Sequence, residues 1–385
     1  MTVLTKTQIQ DLTALRHALH RRPEISGEEA VTAIRIAQEL EALGADRIWR
    51  GLGGHGVAAE FAGLEPGPTV LLRCELDGLP IHEFSDLAYA SEVEGKGHLC
   101  GHDGHMVSLL GVATGLARRP AKGRVILLFQ PAEETGAGAK AVIEDARWPD
   151  IRPDYAFAYH NVPGRPLGEI GLRPGPGNCA SRGMQILLEG KSSHAAVPED
   201  GVSPGPAMAA LMQALPGLGT GVIGDPDFAL STLTHARLGE PTFGIAPGLG
   251  ELRVTLRCMT DYRMESLVAD ARALVDQHCA DLTVDIACHD IFLSVTNDTE
   301  ATEMARQVAL AQGRSVHEMP TPMRWSEDFG RIGGDGAQAT MLYVGAGENH
   351  PQLHNPDYDF PDALIPIMTD MFLGIVTDIL GRAPA

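Results

Sequence analysis

Apolar and polar positions along this chain follow two textures. In residues 7–21 and 27–43 apolar side chains recur at helical spacing, and Arg22-Pro23-Glu24 separates the runs, which predicts two amphipathic helices. "GVAAEF" (56–61) and "TVLLRCEL" (69–76) read as strands rich in Val, Leu and Ala, the second ending in the turn "DGLP". "GHMVSLLGVATGLARRP" (104–120) has a helical period closed by Arg-Arg-Pro. "GRVILLFQP" (123–131) is nearly all apolar, as expected of a strand buried on both faces, and "PDYAFAYHNVP" (153–163) predicts another. Buried strands alternating with helices imply an α/β fold with a largely parallel mixed sheet flanked by helices.

The texture changes after residue 177. "RGMQILLEGK", "SPGPAMAALMQAL", "FALSTLTHARLG", "GELRVTLRCMTD", "MESLVADARALVDQHCA" and "LTVDIACH" read as strand, helix, strand, strand, helix, strand. That order is the ferredoxin-like βαββαβ pattern. From about residue 293 the helix-rich α/β texture resumes. The expected organisation is one domain built from residues 1–180 and 293–385, interrupted by an inserted domain over residues 181–292.

Composition narrows the function classes. Of 385 residues, 44% are hydrophobic and 21% charged, ordinary values for a soluble globular protein. Fifty acidic against thirty basic residues give a formal net charge of -20, which would repel DNA or RNA, so no nucleic-acid partner is expected. No run of eighteen apolar residues occurs, so no membrane span is expected, and the N-terminus lacks the apolar core of a signal peptide. Six scattered cysteines without a CxxC pair suggest reduced thiols in a cytoplasm.

In an open α/β sheet, functional groups gather where strands end. Four segments fit that position: "LDGLP", "LCGHDGH", "FQPAEETG" and "YHNVP". Cys100 and His102 offer sulfur and imidazole suited to Zn²⁺ and its neighbours, yet a thiol nucleophile at Cys100 is the competing reading, and neither CxxC nor HExxH is present. Glu133 and Glu134, adjacent in a turn, can point apart, one to a metal and one to proton transfer. They can equally be acids drawn to a helix N-terminus. His160 follows a strand and His354 lies in a loop of turn formers; structural roles explain either one alone. Asp103 is placed to cap the following helix, His98 to lead into the loop, and His105 to hydrogen-bond or pack.

Taken together and in order, "LHRRPEISGEE", "RCELDGLPI", "HLCGHDGHM", "FQPAEETGAGAK", "YHNVPGRPLG", "GKSSHAAVPEDGVSP", "WSEDFGRI" and "LHNPDYDFPD" resemble the M20 metallopeptidases, nearest the amidohydrolase branch of hippurate, N-acyl-amino-acid and auxin-conjugate hydrolases. The resemblance covers nearly the whole chain. It implies a catalytic domain interrupted by a lid that also carries dimerisation, hence a homodimer, with a higher oligomer as the alternative. It implies two divalent ions, Zn²⁺ or Mn²⁺ with Co²⁺ or Ni²⁺ as further options, held by Cys100 as a bridge with His102, Glu134, His160 and His354. Glu133 would be the general base and Asp77 a carboxylate that orients a ligand. His194 would stabilise the oxyanion, and Arg257 would hold a substrate carboxylate. The implied activity is hydrolysis of N-acyl amino acids. A dipeptidase or N-carbamoyl amino acid hydrolase is the alternative within the same architecture, and a non-catalytic small-molecule binder lies outside it. Two departures stand out. Cys74-Glu75 replaces the family's Ala-Asp, and Gly244-Ile245-Ala246-Pro247 replaces its Asn-Val-Ile-Pro, removing an Asn side chain beside the expected substrate carboxylate.

Overall fold

A computed structural model describes residues 2–383. The chain divides into two compact units. The first comprises Met1–Gly177, Thr296–Pro320 and Asp328–Ala385; the second comprises Asn178–Val295 and Thr321–Glu327.

The first unit is an α/β layer structure. Its sheet contains β1 (Arg47–Leu52), β2 (Gly56–Ala62), β3 (Glu65–Glu75), β4 (Lys122–Gln130), β5 (Tyr155–Val162) and β6 (Ile170–Leu172), with Val316–Glu318 and Gln338–Gly345. The spatial order is β1-β2-β4-β3-β5, then Gln338–Gly345, β6 and Val316–Glu318. The four central strands, β4, β3, β5 and Gln338–Gly345, are mutually parallel, whereas β1–β2, β2–β4 and the pairing of Gln338–Gly345 with β6 are antiparallel. The parallel strands are buried on both faces, as their apolar runs require.

Three helices position the site. α1 (Lys6–His20) begins with a capping box in which Thr5 and Gln8 satisfy each other's backbone donors. α2 (Ala30–Ala42) is capped by the Glu24 carboxylate, which accepts from the N–H groups of Val31 and Thr32. α3 (His102–Gly115) is buried along almost its full length. Its glycines admit the C-terminal helix Leu364–Leu380: a methyl group at Gly111 would overlap Thr369, and one at Gly115 would overlap Leu373. α3 starts two residues earlier than its apolar period indicates, so His102 is its first residue rather than part of the preceding loop.

The second unit holds an antiparallel four-stranded sheet, with Ala180–Glu189, Ala229–Leu238, Leu249–Cys258 and Thr283–Phe292 as its first to fourth strands in sequence. Their spatial order is second-third-first-fourth, and the helices Gly205–Ala214 and Asp261–His278 pack on them over a separate apolar core. A short ribbon pairs Ser193–His194 with Ile245–Ala246. No helix among the described residues is long and apolar enough to cross a membrane, and the six cysteines are free thiols.

Candidate metal centre

The carboxyl ends of β3, β4 and β5 deliver Asp77, Glu133 with Glu134, and His160 to one edge of the sheet of the first unit. The loop before α3 brings Cys100 to the same edge, and α3 opens there with His102. Gly101 makes that approach possible: its φ is +91°, and a Cβ would lie 2.7 Å from Asn161 Oδ1. His354 arrives from a distant loop, its N–H donating to the carbonyl of Leu99 at 2.8 Å.

Two triads of donor atoms result, each within 4.8 Å: Cys100 with His102 and His160, and Cys100 with Glu134 and His354. A third group joins His102 to Glu133 and Glu134. Cys100 is common to the first two. Its Sγ lies 3.4 Å from His160 Nε2, and His354 Nε2 lies 3.6 Å from Glu134 Oε2.

The two buried histidines, His102 and His160, are each oriented by their other nitrogen. His102 Nδ1 donates to the main-chain carbonyl of Asp77 at 2.8 Å, and His160 Nδ1 to that of Asn161 at 2.9 Å. Both Nε2 atoms are thereby turned inward as acceptors. His102 Nε2 is buried without a hydrogen-bond partner and faces Glu133 Oε2 at 4.0 Å and Glu134 Oε1 at 3.9 Å. A lone pair set against two carboxylates at that range requires a positive charge between them. A proton can provide it: although burial opposes the charged imidazole, the Asp77 carboxylate, Glu75 and Glu134 outweigh burial and push His102 up to about 10. A divalent cation provides it equally, and the donor set of one thiol, three imidazoles and a carboxylate suits Zn²⁺ and neighbouring metals. His160 already has the neutral form that ligation needs, since burial and the nearby His105 hold it well below the usual histidine range.

The electrostatics weigh against Cys100 as a nucleophile. Burial and the carboxylates of Glu134 and Glu133 push its thiol well above the ordinary value, whereas reactive thiolates sit in electropositive surroundings. A sulfur anion at this position needs a cation beside it.

Asp77 works through both of its polar ends. Its main chain holds His102, while its carboxylate accepts from Ser26 Oγ at 2.7 Å and from the main-chain N–H of Glu134 at 3.0 Å. Burial opposes its charge, yet the neighbouring His102, and after it the hydrogen bonds from Ser26 and Glu134, hold it below the usual carboxylate range. Two of the three non-glycine residues with positive φ among the described residues flank the site: Ala132 at +50°, just before Glu133, and His354 at +65°. Ala132 is fixed by its N–H donating to Glu29 Oε1 at 2.7 Å. Such conformations persist where surrounding contacts over-determine them.

Two neighbours, Asp103 and His98, differ from their expected roles, while His105 hydrogen-bonds as expected. Asp103 does not cap α3. It lies inside the helix and binds Arg16 at 3.0 Å and His20 at 2.9 Å. His98 is enclosed rather than loop-exposed, and neither ring nitrogen has a hydrogen-bond partner, so burial pushes it down to about 4. His105 joins Glu75 at 2.6 Å to Asn161 at 2.5 Å. Glu75, at the position of the family's aspartate, also pairs with the buried Arg73, so the longer acid is absorbed within this network. Arg16, Ser26 and Glu29 carry no signal as single letters; only their partners reveal their roles.

His194 and Arg257 belong to the second unit. His194 is exposed on the short ribbon, paired with Ile245, and its Nδ1 accepts from Ala196 N–H at 3.0 Å. Gly244 adjoins the same ribbon, its carbonyl accepting from Ala195 N–H. Arg257 donates to Ser326 Oγ at 2.8 Å and makes no ion pair among the described residues.

The chain belongs to peptidase family M20/M25/M40, whose family model matches residues 71–378, and it is an enzyme of that amidohydrolase and peptidase family. It is 29% identical over 388 residues to an N-acetylcysteine deacetylase of Bacillus subtilis, covering 96% of this chain and 97% of the relative. It is also 29% identical over 363 residues to a hippurate hydrolase of Campylobacter jejuni, covering 91% and 92%. A solved Bacillus subtilis structure described as a dinuclear metal-binding peptidase of the M20 family superposes with a TM-score of 0.81 at 25% identity, covering 98% of this chain and 99% of that one.

Proposed function

We propose that this enzyme hydrolyses the amide bond of N-acyl amino acids at a two-metal centre. The single observation that carries the reading is the sharing of Cys100 between two donor triads, Cys100–His102–His160 and Cys100–Glu134–His354. Two ions, if bound there, would share the Cys100 sulfur and be held separately by His102 with His160 and by Glu134 with His354. When bound, such ions polarise the scissile carbonyl and make water a competent nucleophile near neutral pH. The similarity to a deacetylase and a hippurate hydrolase supports N-acetyl and N-benzoyl amino acids as the substrate class.

Glu133 is the general base in this reading. It is buried, adjoins the ligand Glu134, and its Oε2 is directed at the donor cluster. It takes a proton from the attacking water and returns it to the departing nitrogen. His194 donates to the developing oxyanion, and Arg257 pairs with the substrate's free carboxylate. The second unit acts as a lid and as a homodimer surface, and a cytoplasmic location accompanies the reading. Zn²⁺ or Mn²⁺ suits the donor set.

The test is a panel of N-acetyl, N-benzoyl and N-carbamoyl amino acids with dipeptides, assayed with the parent and Glu133→Gln. The expected result is turnover of the N-acetyl or N-benzoyl compounds, lowered about 10²–10⁴-fold in Glu133→Gln with metal content retained. Turnover of dipeptides or N-carbamoyl compounds alone would replace the substrate assignment. Full activity in Glu133→Gln would remove the base.

A further inference from the structure

His354 differs from the other donors. Its side chain is half exposed, its backbone is left-handed, and it sits in a loop more than 190 residues beyond the next nearest donor in sequence, His160. An exposed ligand on a loop needs an anchor outside the donor set. One anchor is the His354 N–H to Leu99. The other lies where the loop leaves the site. Arg16 of α1 is fully buried and donates through Nη1 to Asp359 Oδ1 at 2.8 Å and through Nε to Asp362 Oδ1 at 2.5 Å. The same Nη1 reaches Asp103 Oδ2 at 3.0 Å, next to His102 on α3. Tyr89 closes the ring, accepting from Arg16 Nη2 at 3.0 Å and donating to Asp359 Oδ2 at 2.6 Å.

We infer that Arg16 is a positioning residue for the metal centre: through Asp359, Asp362 and Asp103 it clamps the loop that carries His354 to the helix that carries His102. The inference rests on the two-metal reading above. A planar guanidinium with donors in a fixed fork can satisfy carboxylates from two segments at once, which a single ammonium cannot reproduce. The clamp fixes the far end of the loop that carries His354, whereas Cys100, shared by both triads, is carried by the segment before α3 and meets that loop through packing with Tyr358. Its loss therefore falls mainly on the ion held by Cys100, Glu134 and His354. The ion held by Cys100, His102 and His160 keeps its three buried donors.

The experiment titrates Zn²⁺ into metal-free parent, Arg16→Lys, and the double variant Asp359→Asn/Asp362→Asn, using a competing chelator, and follows thermal unfolding in parallel. Asp359 and Asp362 are partly exposed, so the double variant tests the clamp even if Arg16→Lys fails to fold. The expected result is two Zn²⁺ per parent chain, with one of the two dissociation constants raised about 10–100-fold in the double variant and the other within about threefold. Asp359→Glu/Asp362→Glu, which keeps both charges, recovers part of the loss. A purely structural role would lower the unfolding temperature without separating the two constants. A folded double variant that binds both ions within about twofold of the parent overturns the clamp. A parent that binds no divalent ion overturns the metal reading itself, a distinct failure.

Discussion

The carboxylate of Asp77 accepts the main-chain N–H of Glu134, while the Asp77 main chain accepts from the ring of His102. One residue therefore fixes a donor from each of the two triads. Asp77→Asn can keep its carbonyl oxygen on Ser26 Oγ and Glu134 N–H, which both meet Oδ2, but it removes the charge and places an amide N–H₂ where Oδ1 faces His102 Nδ1 at 3.6 Å. The expected outcome is a metal affinity reduced about 10–100-fold with the fold retained, measured by competition with a chelator.

Removing metal separates the two readings of Cys100. Activity should vanish on exhaustive chelation and return on adding Zn²⁺, Mn²⁺ or Co²⁺. A thiol-modifying reagent should act faster on the metal-free protein, and only slowly even there, because the thiol is held protonated by burial and two carboxylates. Hydrolysis that persists without metal would restore the nucleophile reading.

His20 gives stability a pH signature. Burial opposes its charged form, but Asp103 at 2.9 Å and Glu83 at 3.3 Å overcome that and raise it to about 9. The unfolded value is about 6.5. A raised folded value means the contribution is complete below about pH 6.5 and is lost as pH rises through about 9. The paired Asp103 is depressed, so its contribution is lost instead as pH falls below the ordinary carboxylate range. Unfolding temperature should fall between pH 6.5 and 9.5 in the parent, and His20→Gln should flatten that limb.

Gly244 tests the departure from the family pattern. Nothing lies within 4 Å of a Cβ built there, and its φ is not positive. Gly244→Asn should leave stability within about 0.5 kcal/mol. Its effect should appear in the ratio of kcat/KM between N-acyl amino acids and their uncharged amides. An unchanged ratio would mean that this ribbon takes no part in recognising the carboxylate.

Arg257 should matter only for substrates with a free carboxylate. Arg257→Gln should raise KM about tenfold or more for these, as expected for a charge-assisted hydrogen bond, and leave the amide analogues unaffected. Equal loss on both substrate sets would assign Arg257 to the fold instead.

Much of the first unit was legible in the sequence because parallel strands buried on both faces write near-continuous apolar runs, as in "TVLLRCEL" and "GRVILLFQP". The ordered motifs likewise pointed to Cys100, His102, Glu134, His160 and His354, which do converge. Roles defined by distant partners were not legible. Asp103 has the sequence context of a helix cap, yet a buried arginine from 87 residues earlier takes its carboxylate. His98 looks polar and local, but chain segments from elsewhere enclose it. Glu75 reads as a departure until Arg73 and His105 show where its extra length goes. Helix starts also misled: Gly101 in a left-handed conformation lets α3 begin on His102 without a side-chain cap.

The parallel pairing of β5 with Gln338–Gly345 has a consequence for synthesis on the ribosome. Until translation passes residue 338, β5 has β3 on one side and nothing of its own sheet on the other, with the entire second unit emerging in between. His354 follows later still. A nascent chain can thus assemble the Cys100–His102–His160 half of the centre long before the other half exists, and that exposed central strand is where a chaperone would be most useful.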